Sequence, residues 1–428
     1  MNHFELRDGA DGLELHAEDV ALAAIAEACG TPTYVYSRAT IERHYRVMDE
    51  ALGGVPNSIC YAVKAASNLA ILGLLAKLGA GFDIVSVGEL ERVLAAGGLP
   101  ERVMFSGVGK RDDEIERALR VGIRCFNVES AWELERIEAV AERVGRRAPI
   151  SVRVNPDVDP QTHAYIATGL RTSKFGVPMV EAQAMYRRAA ASPHLHVVGI
   201  DCHIGSQITQ VEPLAAALDR VLELVDALAD EGIAIEHVDM GGGLGITYKD
   251  EEPAPPAAVG RAYAERLGPR GLELVVEPGR LIVGNAGVLL MRVLGVKTGE
   301  AKTFVIVDAA MNDNIRPSLY GAWQQLEPVC PSGRNETTVD VVGPICESGD
   351  FFARDRVLPE VRAGELLAMR SAGAYGFTMA STYNSRPRAA EVMVDGSRLT
   401  VVRERESLRA LWAGERLLDE DDAGPSAI

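Results

Sequence analysis

The strongest constraint on the fold is a regular alternation of short apolar segments with helical segments between Ala39 and Glu277. The apolar segments lie at residues 58-63, 82-85, 103-106, 123-128, 150-155, 197-203, 235-240 and 272-277. Two of the intervening helices have the capping-box spacing of serine and glutamate, at Ser86 with Glu89 and at Ser130 with Glu133. Eight strand-helix units in about 240 residues predict a (β/α)8 barrel of the TIM type.

A doubly wound dinucleotide-binding fold is the alternative architecture, because the chain contains the glycine-rich stretch that runs from Gly241 through Gly245. In that fingerprint a third glycine is expected where this chain has Ile246. The barrel is therefore favoured.

After Arg280 the pattern changes to apolar runs separated by glycine, proline and charged residues. They lie at 288-296, 303-308, 338-342, 366-370, 391-394 and 399-403. This pattern predicts an all-β domain, sandwich or barrel-like, that is completed by an N-terminal strand around Val35. The predicted domains are 38-280 for the barrel, and 1-37 with 281-428 for the β domain. The tail after Asp419 is expected to fray.

The charge balance limits the partners of this chain. It has 44 basic and 61 acidic residues and a formal charge of -17, which opposes binding to nucleic acid or to an anionic membrane surface. No basic and apolar leader and no long apolar segment is present, so we expect a cytoplasmic protein. The six cysteines lack CxxC spacing, which predicts no metal site and no disulfide framework, only reduced core thiols, with Cys346 as an exception.

In such a barrel the active site lies at the C-terminal ends of the strands, so the polar residues that close the apolar segments are the first candidates. They are Lys64, Asp83, Ser106, Asn127, Asn155, His203, Gly241 to Gly243, and Glu277. Lys64 ends a strand that should be buried, and burial lowers the pKa of an amine. Such a lysine is the usual nucleophile toward a carbonyl substrate or pyridoxal phosphate. The alternative is a lysine that merely extends into water.

The other candidates have alternatives as well. Gly241 to Gly243 would let a phosphate approach the backbone, with a hydroxyl donor from Ser206, or they form only a tight turn. Glu277 would pair with a pyridine nitrogen, or it forms a surface ion pair with Arg280. Cys346 would donate a proton, or it is a buried structural thiol. A strand-end histidine such as His203 is often structural.

Taken together, these motifs resemble the fold-type III pyridoxal-phosphate-dependent decarboxylases, and among them the diaminopimelate decarboxylase family. The matching motifs are Tyr61-Ala62-Val63-Lys64-Ala65, His203-Ile204-Gly205-Ser206-Gln207, Gly241-Gly242-Gly243, Glu277-Pro278-Gly279-Arg280, Cys346-Glu347-Ser348-Gly349-Asp350 and Gly373-Ala374-Tyr375, with Asn155-Pro156-Asp157-Val158, Thr162 to Ile166, Thr168 to Leu170, and Lys174-Phe175-Gly176. The chain departs from the family at Ala66, where asparagine is common. We interpret that departure as a packing change.

The resemblance implies a role for each matching residue. Lys64 would form a Schiff base with pyridoxal 5'-phosphate, His203 would stack on its ring, and Cys346 would donate the proton. The remaining cofactor contacts would come from Asp83, Ser206, Gly243, Glu277, Pro278, Gly279, Arg280 and Tyr375. Substrate would be held by Arg280, Arg316, Tyr320, Glu347 and Tyr375. Because Cys346 and Glu347 reach the partner's barrel in this family, the resemblance also implies a homodimer with shared active sites.

The implied reaction is decarboxylation of meso-2,6-diaminopimelate to L-lysine and carbon dioxide, the last step of lysine biosynthesis. Arg280 and Arg316 suit a distal carboxylate, and Glu347 suits a distal ammonium. The alternatives are an amino-acid racemase on the same scaffold, and a binding homologue that has lost the cofactor.

Overall fold

The computed structural model describes residues 2-9, 12-159 and 174-418. Its centre is a closed barrel of eight parallel strands. In chain order they are Asn57–Ala62, Gly81–Ile84, Val103–Phe105, Cys125–Val128, Ala148–Asn155, Leu195–Asp201, His237–Asp239 and Glu273–Val276. Each strand pairs with the next, and the eighth pairs with the first. This closure confirms the predicted barrel and excludes the doubly wound sheet.

Among the described residues, one helix follows each of the first seven strands on the outside of the barrel. These helices are Leu69–Lys77, Val87–Ala95, Asp112–Val121, Ala131–Val144, Met179–Ala191, Glu212–Asp230 and Pro256–Leu267. After the eighth strand the helix is only Arg280–Val283. The predicted helix that begins near Ala39 is Arg38–Leu52, which precedes the first strand. It packs on Pro256–Leu267, where a Cβ on Gly260 would lie 1.9 Å from the Ala51 oxygen.

The β domain is organised around the long strand Gly287–Thr298. Its other strands after the barrel are Thr303–Val307, Leu326–Pro328, Glu336–Val342, Phe351–Pro359, Leu366–Met369, Ala390–Asp395 and Arg398–Arg403. The strand Thr33–Ser37 lies between Gly287–Thr298 and Ala390–Asp395. The N-terminal segment therefore completes this sheet, as the sequence predicts. The residue boundaries of the two domains stay a prediction.

Several elements were missed by the sequence pattern. The N-terminal segment also forms a small antiparallel sheet of Phe4–Gly9, Gly12–Ala17 and Val20–Ala21, followed by the helix Leu22–Cys29. The strand Phe351–Pro359 was missed because it lies at the edge of its sheet, where charged residues interrupt the apolar pattern. The motif residues 162-166 and 168-170 and the tail after Asp419 lie outside the described residues.

Two further sequence predictions can be compared with the described residues. Among them, no helix has the length and apolar character needed to cross a bilayer. All six cysteines are free, but only Cys60, Cys125 and Cys202 are buried. The expectation of a core thiol is wrong for the exposed Cys330, and the interpretation of Cys346 as a buried structural thiol is wrong as well.

Candidate active site

A cavity opens at the C-terminal ends of the barrel strands. Many of the predicted site residues line this cavity. They are Lys64, His203, Ser206, Gly241 to Gly243, Glu277, Pro278, Gly279, Arg280 and Tyr375. Tyr375 comes from the β domain, and its backbone N–H donates to the Ala65 oxygen at 2.8 Å. The β domain therefore contributes directly to the wall of the cavity beside the lysine.

Lys64 lies in a short 3-10 turn, Val63–Ala65, that follows the first barrel strand. Its Nζ donates to Asp83 Oδ2 at 2.6 Å, and the Asp83 side chain is fully buried at the end of the second strand. Burial opposes the charge on Lys64, but the carboxylates of Asp83 and then Glu277 more than offset it and raise its pKa above the ordinary value. The expectation of a depressed pKa is therefore wrong for the Lys64 amine.

Glu277 ends the eighth strand inside a polar network. Its Oε1 accepts hydrogen bonds from Ser106 Oγ and Asn127 Nδ2, each at 3.4 Å. Carboxylate oxygens of Asp201, Asp239 and Glu277 lie within 4.8 Å of one another. Burial and repulsion from Asp239 raise the pKa of Glu277 well above its ordinary value. A protonated pyridine nitrogen beside Glu277 would restore its negative charge, so this environment fits the expected ring of the cofactor.

The glycine turn after the seventh strand has no room for side chains. Gly241 and Gly243 have φ values of 62° and 103°, and a Cβ on Gly242 would lie 2.3 Å from the Glu277 oxygen. Asp239 Oδ1 accepts from the Gly241 N–H at 2.8 Å, which fixes the turn to its strand. Such a rigid backbone cradle fits the phosphate of pyridoxal phosphate.

His203 follows the sixth strand and contacts this turn. Its Nδ1 accepts from the Gly242 N–H at 3.2 Å. Burial, together with the positive charges of Arg153 and Lys64, lowers the pKa of His203 well below its usual value. The ring is therefore neutral, with its proton on Nε2, and can pack on an aromatic cofactor without repelling a ring cation.

Two buried arginines lie around one tyrosine ring near the cavity. Arg280 donates from Nη2 to Ser206 Oγ at 3.0 Å and from Nη1 to the Tyr248 hydroxyl at 2.6 Å. The Arg316 guanidinium lies 4.9 Å from the centre of the same ring. Among the described residues neither guanidinium is in an ion pair, and Arg280 Nε and Arg316 Nη1 have no hydrogen-bond partner. Unpaired buried cations of this kind fit an anionic ligand.

Tyr320 ends the short helix Arg316–Tyr320, one turn beyond Arg316. Cys346 and Glu347 lie in the loop between the strands Glu336–Val342 and Phe351–Pro359, but both are exposed and neither lines the cavity. This loop is held beside the helix, because the Ser318 hydroxyl donates to the Gly349 oxygen at 2.5 Å. Within a single chain, then, the structure does not bring the predicted proton donor into the cavity that contains Lys64.

Ala66, where the chain departs from the family, is buried two residues beyond Lys64. It is 4% exposed, and its backbone oxygen accepts from the Tyr61 hydroxyl at 3.0 Å. The interpretation of this departure as a packing change stays a prediction.

Sequence reasoning missed two groups near the cavity. One is Tyr248, which lies in a polar loop where no pattern indicates a site. The other is the buried pair of Arg153 and Glu129 at 2.9 Å, with Asp201 3.8 Å from the same guanidinium. The Arg153–Glu129 pair could have been predicted, because an arginine inside the apolar fifth strand needs a buried partner.

Comparison with known proteins agrees with this geometry. A family model described as "Pyridoxal-dependent decarboxylase, pyridoxal binding domain" matches residues 38–284. The chain is 59% identical to the diaminopimelate decarboxylase of Pseudomonas aeruginosa, over 98% of this chain and 100% of that protein. The diaminopimelate decarboxylase of Vibrio cholerae is 56% identical, with the same coverage of 98% and 100%.

A solved structure is similar over nearly the whole chain. The diaminopimelate decarboxylase from Helicobacter pylori complexed with L-lysine has a TM-score of 0.89 and 43% identity, over 92% of this chain and 98% of that one. The match covers both the barrel and the β domain. The chain therefore belongs to the pyridoxal-phosphate-dependent decarboxylases, and within them to the diaminopimelate decarboxylase family.

Proposed function

We propose that this chain uses pyridoxal phosphate to convert meso-2,6-diaminopimelate to L-lysine and carbon dioxide. The observation that carries the proposal is that Lys64, Glu277 and Arg280 line one cavity, while Arg316 lies against the same Tyr248 ring as Arg280. Among the described residues neither arginine has a carboxylate partner. Lys64 and Glu277 suit the cofactor, and the arginines suit the end of the substrate that does not react. The full-length identity to diaminopimelate decarboxylases supports the same substrate.

Each site residue has a separate role in the proposed reaction. Lys64 would hold the cofactor covalently, and Asp83 keeps the amine in place at 2.6 Å. Glu277 would pair with the pyridine nitrogen, and the glycine turn with Ser206 would hold the phosphate. When bound, pyridoxal phosphate supplies the electron sink for the pair that remains when the carbon–carboxylate bond breaks. A proton from Cys346 then replaces the lost carboxylate on the same carbon.

The two arginines should favour diaminopimelate over ornithine and arginine. Diaminopimelate carries an amine and a carboxylate at each end, so its distal carboxylate can neutralise Arg280 and Arg316. Ornithine and arginine carry a distal cation without a neighbouring carboxylate. Such substrates would leave two buried cations unpaired, which is costly.

The test is a substrate panel with purified holoenzyme. Carbon dioxide release and product identity are measured with diaminopimelate, lysine, ornithine and arginine. We expect release from diaminopimelate with formation of L-lysine, and much slower release from the other three. Epimerised diaminopimelate without carbon dioxide would show a racemase and contradict the proposal.

We propose further that the active unit is a cytoplasmic homodimer in which Cys346 and Glu347 complete the partner's cavity. The support is that both residues are exposed and absent from the cavity of their own chain. A cytoplasmic enzyme keeps its thiols reduced, in accord with six free cysteines.

A further inference from the structure

Tyr248 is the residue that joins the two buried arginines. Its hydroxyl accepts from Arg280 Nη1 at 2.6 Å, and its ring lies 4.9 Å from the Arg316 guanidinium and 5.7 Å from that of Arg280. One side chain thus contacts both cations through two different interactions, a charged hydrogen bond and a cation–π contact.

The loop that carries Tyr248 is tied down on both sides. Gln207, next to the cavity residue Ser206, donates to the Ile246 oxygen at 2.5 Å and accepts from the Ile246 N–H at 3.2 Å. On the other side, Glu251 accepts from the N–H groups of Tyr248 and Lys249 at 2.9 and 2.7 Å. The tyrosine is therefore placed before any ligand arrives.

Tyr248 is the side chain that the two arginines share. Arg280 is also held by Ser206 Oγ at 3.0 Å and by the Tyr375 ring at 5.0 Å, whereas the Arg316 guanidinium lies against the Tyr248 ring. Each arginine is 8% exposed, and among the described residues Nε of Arg280 and Nη1 of Arg316 have no hydrogen-bond partner. Two guanidiniums held on one ring with unused donors suit an anionic group such as a carboxylate.

We propose that Tyr248 is a positioning residue for substrate selection, which holds Arg280 and Arg316 ready for the distal carboxylate. This inference rests on the proposed function, because it concerns the end of diaminopimelate that does not react. It predicts that the tyrosine acts on binding of that end, with little effect on the bond-breaking step at the other.

The test compares Tyr248→Phe, which keeps the ring, with Tyr248→Leu, which removes the ring as well. At saturating cofactor we expect KM for diaminopimelate to rise about tenfold for Tyr248→Phe and about a hundredfold for Tyr248→Leu, with kcat within about threefold of wild type. Lys249→Ala is the matched loop control, since in the described part of the chain its exposed side chain pairs only with Asp250, at 3.2 Å. Its KM should equal that of wild type.

A second measurement separates positioning from a general disturbance of the site. L-lysine keeps the distal carboxylate, whereas 1,5-diaminopentane has the same amines and no carboxylate. Inhibition by L-lysine should weaken in the Tyr248 variants by the same factor as KM, and inhibition by the diamine should not change. The near-visible absorption of the bound cofactor should also be unchanged.

Three outcomes would overturn the inference: an unchanged KM in both variants, equal weakening of both inhibitors, or a loss located in cofactor affinity. If Tyr248→Leu does not fold, the KM and inhibition measurements on Tyr248→Phe test the inference by themselves. Failure of the proposed function is a different result, because wild-type enzyme would then release no carbon dioxide from diaminopimelate.

Discussion

Lys64 Nζ lies 2.6 Å from Asp83 Oδ2, and the carboxylate of Asp83 is completely buried between the first two barrel strands. The carboxylate raises the pKa of Lys64 and so favours its charged form. If Lys64 attaches the cofactor, as proposed, its amine would have to lose a proton before it could react with an aldehyde. Asp83 thus positions the Lys64 amine but lowers the fraction of it that is neutral and able to act as a nucleophile.

Replacement of Asp83 by asparagine should lower the pKa of Lys64, because the carboxylate that offsets burial is removed. The neutral fraction of Lys64 at a given pH should increase by about tenfold or more, since one pKa unit corresponds to a factor of ten. Rates of modification of Lys64 by an amine-specific reagent in the cofactor-free protein, measured against pH and located by peptide mass, check this. An unchanged pH profile would contradict the assigned role of Asp83.

Replacement of Lys64 by alanine should abolish covalent attachment of the cofactor and lower kcat below about a thousandth of wild type. The measurement is the near-visible absorption of the protein, together with cofactor fixed by borohydride reduction. Lys77→Ala is the control, because that exposed lysine ends a helix outside the barrel. Fixation of cofactor in the Lys64→Ala protein would place the attachment elsewhere.

The glycine turn should not tolerate a methyl group at its centre. In Gly242→Ala the new Cβ would meet the Glu277 backbone oxygen at 2.3 Å, so the turn must shift. We expect a cost of about 1–3 kcal/mol, which is about 5- to 150-fold in the Kd for pyridoxal phosphate. Gly268→Ala, whose Cβ would have nothing within 4 Å, is the control. Equal cofactor affinities by fluorescence titration would argue against a phosphate cradle here.

The shared active site predicts recovery of activity from two inactive proteins. Random exchange between Lys64→Ala and Cys346→Ala subunits makes about half of the dimers mixed, each with one site that has both native residues. The expected activity is about a quarter of the wild-type value, measured as carbon dioxide release after subunit exchange is verified by mass. If exchange occurs and no activity returns, Cys346 acts within its own chain or is not the proton donor.

Asp313 gives the β domain a defined pH dependence of stability. Burial raises the pKa of Asp313 to about 7, whereas an unfolded aspartate titrates near its ordinary value of 3.8. The native state therefore binds the extra proton between these values, and the contribution of Asp313 to the free energy of unfolding falls as the pH rises from about 4 to 7. Asp313→Asn removes this titration and keeps an acceptor for the Ala310 N–H. Relative to wild type, the free energy of unfolding of the Asp313→Asn protein should increase across that range by about 1–4 kcal/mol, and its Tm should rise accordingly. A constant offset in Tm at pH 4 and pH 7 would contradict the assignment.

The sequence predicted the barrel because burial on both faces makes each parallel strand a continuous apolar run, and each run ends at the functional edge. For the same reason the strand-ending residues Ser106, Asn127 and Glu277 were found without any structure, and they meet in one network. The edge strand Phe351–Pro359 was not predicted, because part of it is exposed and carries charged residues that interrupt the apolar pattern of a buried strand.

What the sequence determined by itself is the order of strands and helices and the identity of the lysine, glycines and glutamate that close them, because these follow from local periodicity. Only the tertiary structure decided the protonation of Lys64, which depends on a carboxylate 19 residues away, and the grouping of Tyr248 with Arg280 and Arg316, which come from three separate segments. Electrostatic and hydrogen-bonding partners depend on distance in space, and no local pattern of the chain encodes that distance.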